Sequence, residues 1–261
     1  MNTSPSKVSI LVSSCDKYQE AWLPFFALLS KYWPTCHYPK YLLTETMSFS
    51  GDMVTTINSD KKAWSSRLLD ALCRIDSEYV LFFLDDFFLM KPVKTEVLDQ
   101  YVGYMERDKE LSVIYLKSIA NQNRQSEKYS GLIEMEKGKK YYVNFQAALW
   151  RRSAFIDVLL PNLSPWDIEE NSKWERGKGF FLCVSGGSYS DCTNDIIPYL
   201  WAQETGYGIC KSKWLWNNKS FFKREGISCK CESLPTLSKL DYLINKYKKR
   251  IQDIIWSKIK F

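Results

Sequence analysis

Histidine is almost missing from this chain, with His37 the single example. Zinc sites built on imidazole and Cys-His nucleophile pairs lose their basis with it. His37 itself, just past the first helical segment, reads as a structural or surface residue. No apolar run approaches the ~20 residues that span a bilayer. No glycine-rich, lysine-containing phosphate loop follows the first strand, which weakens a nucleotidyltransferase reading. The N-terminus, MNTSPSKVSILVSSCDKY, has no cationic segment leading into an apolar core and cleavage site, so the eight cysteines are expected to be reduced thiols of a cytoplasmic protein. Cys229 and Cys231 form the closest pair, and no second pair with zinc-ligand spacing accompanies them. There is no internal repeat and no linker of distinct composition.

What is abundant is aromatic: 15% of residues, with 10 Trp and 16 Tyr. Such side chains fill cores, and they also stack on sugars and bases. The formal charge of +6 suggests an anionic partner, yet Lys246, Lys248, Lys249, Arg250, Lys258 and Lys260 hold much of the excess near the C-terminus. The body is therefore near neutral, which argues against nucleic acid as a partner.

The stretch that stands out is Tyr79 to Met90, YVLFFLDDFFLM. A continuous apolar run of this kind reads as a strand buried on both faces in a parallel sheet. Asp85 and Asp86 are too costly to bury unpaired inside it, so they belong at its carboxyl end, where open α/β sheets meet their ligands. The plainer alternative is an acidic turn.

Around this stretch strands and helices alternate. KVSILVSS is a first strand, followed by a helix over Gln19 to Trp33 and a strand YPKYLLTE; a second helix, Lys61 to Ile75, precedes the acidic strand. Beyond Pro92 come a helix from about Thr95 to Arg107 and a strand at Leu111 to Leu116, then a polar loop. Leu132 to Glu136 and Lys140 to Phe145 look like a hairpin across Lys137-Gly138-Lys139. A helix runs to Leu160, Pro165 opens a short acidic helix, Gly179 to Ser185 is a strand, and Ile196 to Leu215 holds strands turning at Gly206 to Gly208. Ser238 to Ile259 forms a basic amphipathic helix. The fold class is α/β, a mostly parallel sheet flanked by helices with a C-terminal amphipathic helix.

In their order KVSILVSSCDKY, LDDFF, FQAALWRR and SPWDIEE resemble bacterial glycosyltransferases of the GT-A fold associated with capsule and surface-polysaccharide synthesis. The resemblance spans about Lys7 to Trp214. It implies one catalytic domain over residues 1–233, with a donor half over about 1–118 and an acceptor half over about 119–233; residues 234–261 are the C-terminal helix. It implies a nucleotide-sugar donor and a glycan or lipid-linked acceptor. Ser13, Ser14, Asp16 and Tyr18 match the segment that contacts base and ribose. Asp85 and Asp86 match the acidic motif that holds a divalent cation, manganese or magnesium, on the diphosphate. The adjacent pair followed by Phe87 departs from the usual Asp-any-Asp pattern. Lys211 and Lys213 match a loop over the donor phosphates, with surface lysines as the alternative.

Arg67, one face over on the second helix, is a candidate to grip the diphosphate, or a solvated helix arginine. Removing a proton from an acceptor hydroxyl requires a general base. The resemblance favours Glu169 over Asp167 and Glu170, with Trp166 stacking on the acceptor sugar and Gln146 and Trp150 lining its side. Without the resemblance, these acids read as a helix's first turn complementing its dipole. The C-terminal helix either packs on the domain or lies on an anionic membrane, which would place the protein at the inner face of the plasma membrane. Two further classes stay open: a nucleotidyltransferase of sugar activation, and a non-catalytic carbohydrate-binding or membrane-associated scaffold.

Overall fold

The computed structural model describes residues 6–51, 53–118, 124–139, 141–170, 179–185, 191–199, 206–244 and 247–248. The first strand, β1 (Val8–Ser13), leads through a short 3-10 turn into helix α1 (Gln19–Tyr32). Then follow β2 (Lys40–Thr44), β3 (Val54–Asn58), α2 (Trp64–Arg74) and β4 (Tyr79–Leu84), the strand of the apolar run. Next come α3 (Thr95–Arg107), β5 (Leu111–Tyr115), β6 (Arg124–Gln125), β7 (Leu132–Glu134), β8 (Ala148–Arg151), α4 (Arg152–Val158), α5 (Pro165–Glu170) and β9 (Phe180–Val184). A hairpin of β10 (Ile209–Cys210) and β11 (Lys213–Leu215), helix α6 (Asn218–Glu225) and β12 (Thr236–Leu237) complete the described elements.

Nine strands make one sheet in the order β3-β2-β1-β4-β8-β5-β9-β7-β6, and β10-β11-β12 make a second. The first four strands are mutually parallel. β8 enters antiparallel between β4 and β5, and β7 is antiparallel to β9, so the large sheet is mostly parallel in direction. Helices cover both faces. Tyr79, Leu81 and Phe83 of β4 join the core under α1 and α3, while Val80 and Phe82 join the core under α2 and α4. Alternation of side chains on a strand buried on both faces accounts for the unbroken apolar run. Each such side chain contributes roughly 1.5–3 kcal/mol by leaving water. This is the α/β arrangement expected from the sequence, a mostly parallel sheet flanked by helices.

Two local expectations need correction. The Leu132/Lys140 hairpin does not form: β7 pairs instead with β6 and β9. The backbone near Asn144 is served by side chains, since Tyr115 Oη donates to the Tyr142 carbonyl and accepts from the Asn144 N–H. The turn placed at Gly206 to Gly208 lies instead at Lys211-Ser212, between β10 and β11. Of the C-terminal helix, residues 239–244 are helical, with Ser238 capping Asp241 N–H, and most of the remainder lies outside the described residues. No helix among the described residues is long and apolar enough to cross a membrane.

Candidate active site at the carboxyl rim

Parallel pairing sets Ser13 beside Leu84, so the next residues on each chain, Ser14 and Asp85, emerge together at the carboxyl edge of β1 and β4. The Ser14 hydroxyl donates to Asp85 Oδ2, and Trp22 Nε1 donates to Ser14 Oγ at 2.6 Å. With its acceptor site occupied by Trp22, the Ser14 hydroxyl is aimed at the carboxylate. Asp85 is buried. Burial, and then the charge of Asp86, push its carboxyl well above the usual range, against the pull of Ser14.

Asp86 is half-buried and turns toward the second sheet, where its Oδ2 accepts the Ile209 N–H at 2.9 Å. Burial raises its carboxyl to about 6, opposed by that N–H. The β10–β11 hairpin is therefore tied to Asp86, the second member of the acidic pair. Its tip is fastened on the other side, where Tyr18 Oη and Ser212 Oγ are 3.0 Å apart. Lys211 and Ser212 both take left-handed backbone, with φ of 49° and 57°. A two-residue hairpin loop demands that geometry and usually recruits Asn or Gly for it. Lys211 and Lys213 flank this tip and are exposed.

Arg67 is buried on α2, and its Nη1 donates to Glu45 Oε1 at 3.2 Å and to the Lys62 carbonyl at 3.1 Å. Its Nε is buried without a hydrogen-bond partner. The Cys15 thiol lies between these groups: burial raises it to about 11, Asp85 and Glu45 push the same way, and Arg67 opposes them. Asp16, one of the residues matched to the base- and ribose-contacting segment, also has a structural part. Its carboxylate accepts the N–H groups of Glu45, Thr46 and Met47, pinning the loop after β2 beside the rim. Ser13 Oγ accepts from Trp64 Nε1 at 3.0 Å.

The acceptor-side residues divide. Glu169 is half-buried on α5 and its Oε1 accepts the Phe145 N–H at 2.8 Å. The Phe145 ring packs on Trp64, whose indole reaches Ser13, so Glu169 is joined to the rim through two aromatic side chains. Trp166 is 68% exposed. Asp167 closes a capping box with Ser164 at the start of α5, the helix-end role that acids in this position readily take. Gln146 Oε1 accepts from Tyr199 Oη at 2.8 Å. Trp150 is a correction: it is fully buried on β8, stacked on Phe155, and has no surface to offer an acceptor.

Sequence reasoning missed the polar group beneath the pair. Lys117, just past β5, is buried, donates to Asp195 and to the Tyr199 carbonyl, and lies 5.1 Å from the Tyr199 ring centre. Tyr199 stacks on Phe87, the residue after Asp86. Nothing local marks Lys117, because its partners lie about eighty positions further along the chain.

What fold and rim define together is an α/β protein with a mostly parallel sheet and an acidic pair at its strand ends. No protein-family model matches the sequence, and neither does any curated protein. Similar solved structures include residues 1–349 of S. aureus TarS, at 13% identity and a TM-score of 0.44 over 70% of this chain and 59% of that one. TarS was also crystallised with UDP-GlcNAc. An active-site variant of LgtC is similar at 11% identity and a TM-score of 0.38, covering 56% of this chain and 57% of that one. CMP:2-keto-3-deoxy-manno-octonic acid synthetase, complexed with CTP, is similar at 11% identity and a TM-score of 0.36, covering 70% of this chain and 92% of that one. The chain thus spans less than two thirds of TarS 1–349. At these TM-scores the likenesses assign no activity, and the description of the fold rests on the strand order itself.

Proposed function

We propose that the protein is a glycosyltransferase that moves a sugar from a nucleotide-sugar to a surface-polysaccharide or lipid-linked glycan, as in capsule synthesis. The observation that carries this reading is the Asp85–Asp86 pair: two adjacent carboxyl groups at the carboxyl ends of parallel strands, both held above their normal range by burial. A rim that disfavours two negative charges is one that a cation completes. Two carboxylates fit a hard divalent ion whose remaining ligands come from diphosphate and water. Among the described residues no group of three or more His, Cys, Asp or Glu assembles as a fuller metal cage. Manganese or magnesium bound there would neutralise charge on the leaving diphosphate.

The chain's own residues take the other parts. Arg67, with an unpartnered Nε, is suited to an anionic diphosphate, and the exposed Lys211 and Lys213 are assigned to the donor phosphates with it. Ser13, Ser14, Asp16 and Tyr18 contact base and ribose on the donor side, with Asp16 also holding the neighbouring loop. Glu169 takes the proton of the acceptor hydroxyl as it attacks, with the Phe145 N–H fixing one carboxylate oxygen and Trp166 offering an exposed stacking face. The division into a donor half, an acceptor half and a C-terminal helix goes with these roles.

The test is thermal-shift screening with UDP, GDP, CDP and CMP sugars, with and without manganese. We expect one nucleotide-sugar to raise the unfolding temperature, more so with manganese. Stabilisation by CTP or UTP with a sugar phosphate, and by no nucleotide-sugar, would point to a nucleotidyltransferase. Silence from every nucleotide would favour a non-catalytic carbohydrate-binding scaffold.

A further inference from the structure

We propose that Cys229 and Cys231 form a reversible thiol–disulfide exchange site, open to low-molecular-weight disulfides such as oxidised glutathione, whose closure loosens the hairpin over Asp85 and Asp86. The two Sγ atoms lie 3.4 Å apart across a single residue, Lys230. Cys229 is half-buried and reachable, whereas Cys231 is buried beneath it, which divides them into an attacking and a resolving thiol. The S–H of Cys231 favours the thiolate of Cys229 and lowers its pKa. A disulfide closed across one intervening residue is strained, and strained disulfides are the ones that exchange readily.

The exchange balances without any further reactant. Cys229 loses its proton and attacks one sulfur of oxidised glutathione, forming a mixed disulfide and expelling a glutathione thiolate, which takes up a proton. Cys231 then loses its proton and attacks Cys229 Sγ, and the second glutathione leaves as thiol. The protein gives up two electrons and two hydrogens, and oxidised glutathione becomes two molecules of glutathione.

What the bond would disturb is visible in the contacts. Pro24 lies inside α1 and has no N–H for the Glu20 carbonyl four residues back. The Cys229 thiol lies 3.5 Å from that carbonyl as its donor. The Glu20 carboxylate in turn accepts the N–H groups of Glu232 and Ser233, each at 2.8 Å, and Trp214 Nε1 at 3.3 Å. Trp214 belongs to β11, the second leg of the hairpin that meets Asp86 and Tyr18 and the central strand of the small sheet. Forming a bond of about 2.05 Å pulls Cys229 Sγ from the Glu20 carbonyl and redraws the loop that Glu20 holds. The effect on the rim rests on the donor-site reading given above.

The full chain, reduced and then exposed to oxidised glutathione, should lose two hydrogens by intact mass, recoverable with dithiothreitol. Tryptic cleavage after Lys230 should yield Glu225–Lys230 and Cys231–Lys239 joined before reduction and separate after it. Cys231→Ser should instead trap glutathione on Cys229. A lasting glutathione adduct in the wild type, or pairing with any other cysteine, overturns the site. With the disulfide mapped, the stabilisation by the best nucleotide should fall several-fold in the oxidised protein and not in Cys229→Ser; an unchanged response overturns the coupling. If no nucleotide stabilises even the reduced protein, the donor-site reading fails while the disulfide map still decides the exchange site.

Discussion

Asp86 is more comfortable protonated than charged, and this has a direction in pH. A carboxyl whose folded pKa is raised binds more protons in the native than in the unfolded state between about 4 and 6. Its contribution to stability therefore falls as pH rises through that window and stays low at pH 7. Asp86→Asn should stabilise the protein at pH 7 relative to wild type by on the order of 2 kcal/mol, seen as a higher unfolding temperature, with the gap closing toward pH 4. Melting curves of both proteins across pH 4 to 8 check this, and the variant should lose the manganese-dependent part of any nucleotide shift. At Glu169 the expectation is reversed. Glu169→Gln keeps an oxygen for the Phe145 N–H, so the melt should move little while transfer to acceptor drops ~100-fold or more, measured with the nucleotide-sugar identified by binding. The acidic pair was legible because two charges interrupt an apolar run. Lys117 and Trp150 were not, because neither a buried lysine's distant partner nor the depth of a tryptophan on a strand has a local signal.

Among elements, the β10–β11 hairpin departs furthest from sequence rules. Gly206 and Gly208 drew the expected turn toward themselves because glycine tolerates positive φ, yet both left-handed tip residues are a lysine and a serine. Long-range contacts impose the geometry: the Ile209 N–H is held by Asp86 and Ser212 meets Tyr18. Lys211→Asn separates the two properties of the tip. Asn accepts left-handed backbone at lower cost, so stability should hold or gain by up to ~1 kcal/mol, while nucleotide-sugar affinity falls with the lost cation. Paired melting and titration measurements check it, and a fall in stability with unchanged affinity would remove Lys211 from the donor loop. The failed Leu132/Lys140 hairpin teaches the same lesson. Alternation alone did not reveal that Tyr115 and Glu169 would satisfy the backbone around Asn144 and Phe145.

For the whole molecule, alternating strands and helices were enough to read a parallel α/β sheet, because burial on both faces leaves its mark on the central strands β1, β4 and β5. The small second sheet and the late entry of β8 were not readable, being settled by pairing between distant segments. The described start of the C-terminal helix presents exposed Leu240, Leu243, Ile244 and Tyr247. Tyr242, between them, packs on Trp216 with ring centroids 5.4 Å apart, so experiment must separate packing on the domain from contact with anionic lipid. The full chain should co-sediment with liposomes rich in anionic lipid, and a chain ending at Leu237 should remain in the supernatant; equal pelleting would leave the helix a purely internal role.

The position of β8 also governs the order in which the chain is made. β4, the most apolar strand, has β1 on one side as soon as both are synthesised, but its other edge waits for Ala148–Arg151. Until those residues leave the ribosome, the YVLFFL edge is an open template for pairing with another chain. The strand that carries the acidic pair is thus the nascent chain's chief aggregation hazard, and a single antiparallel strand made much later closes it.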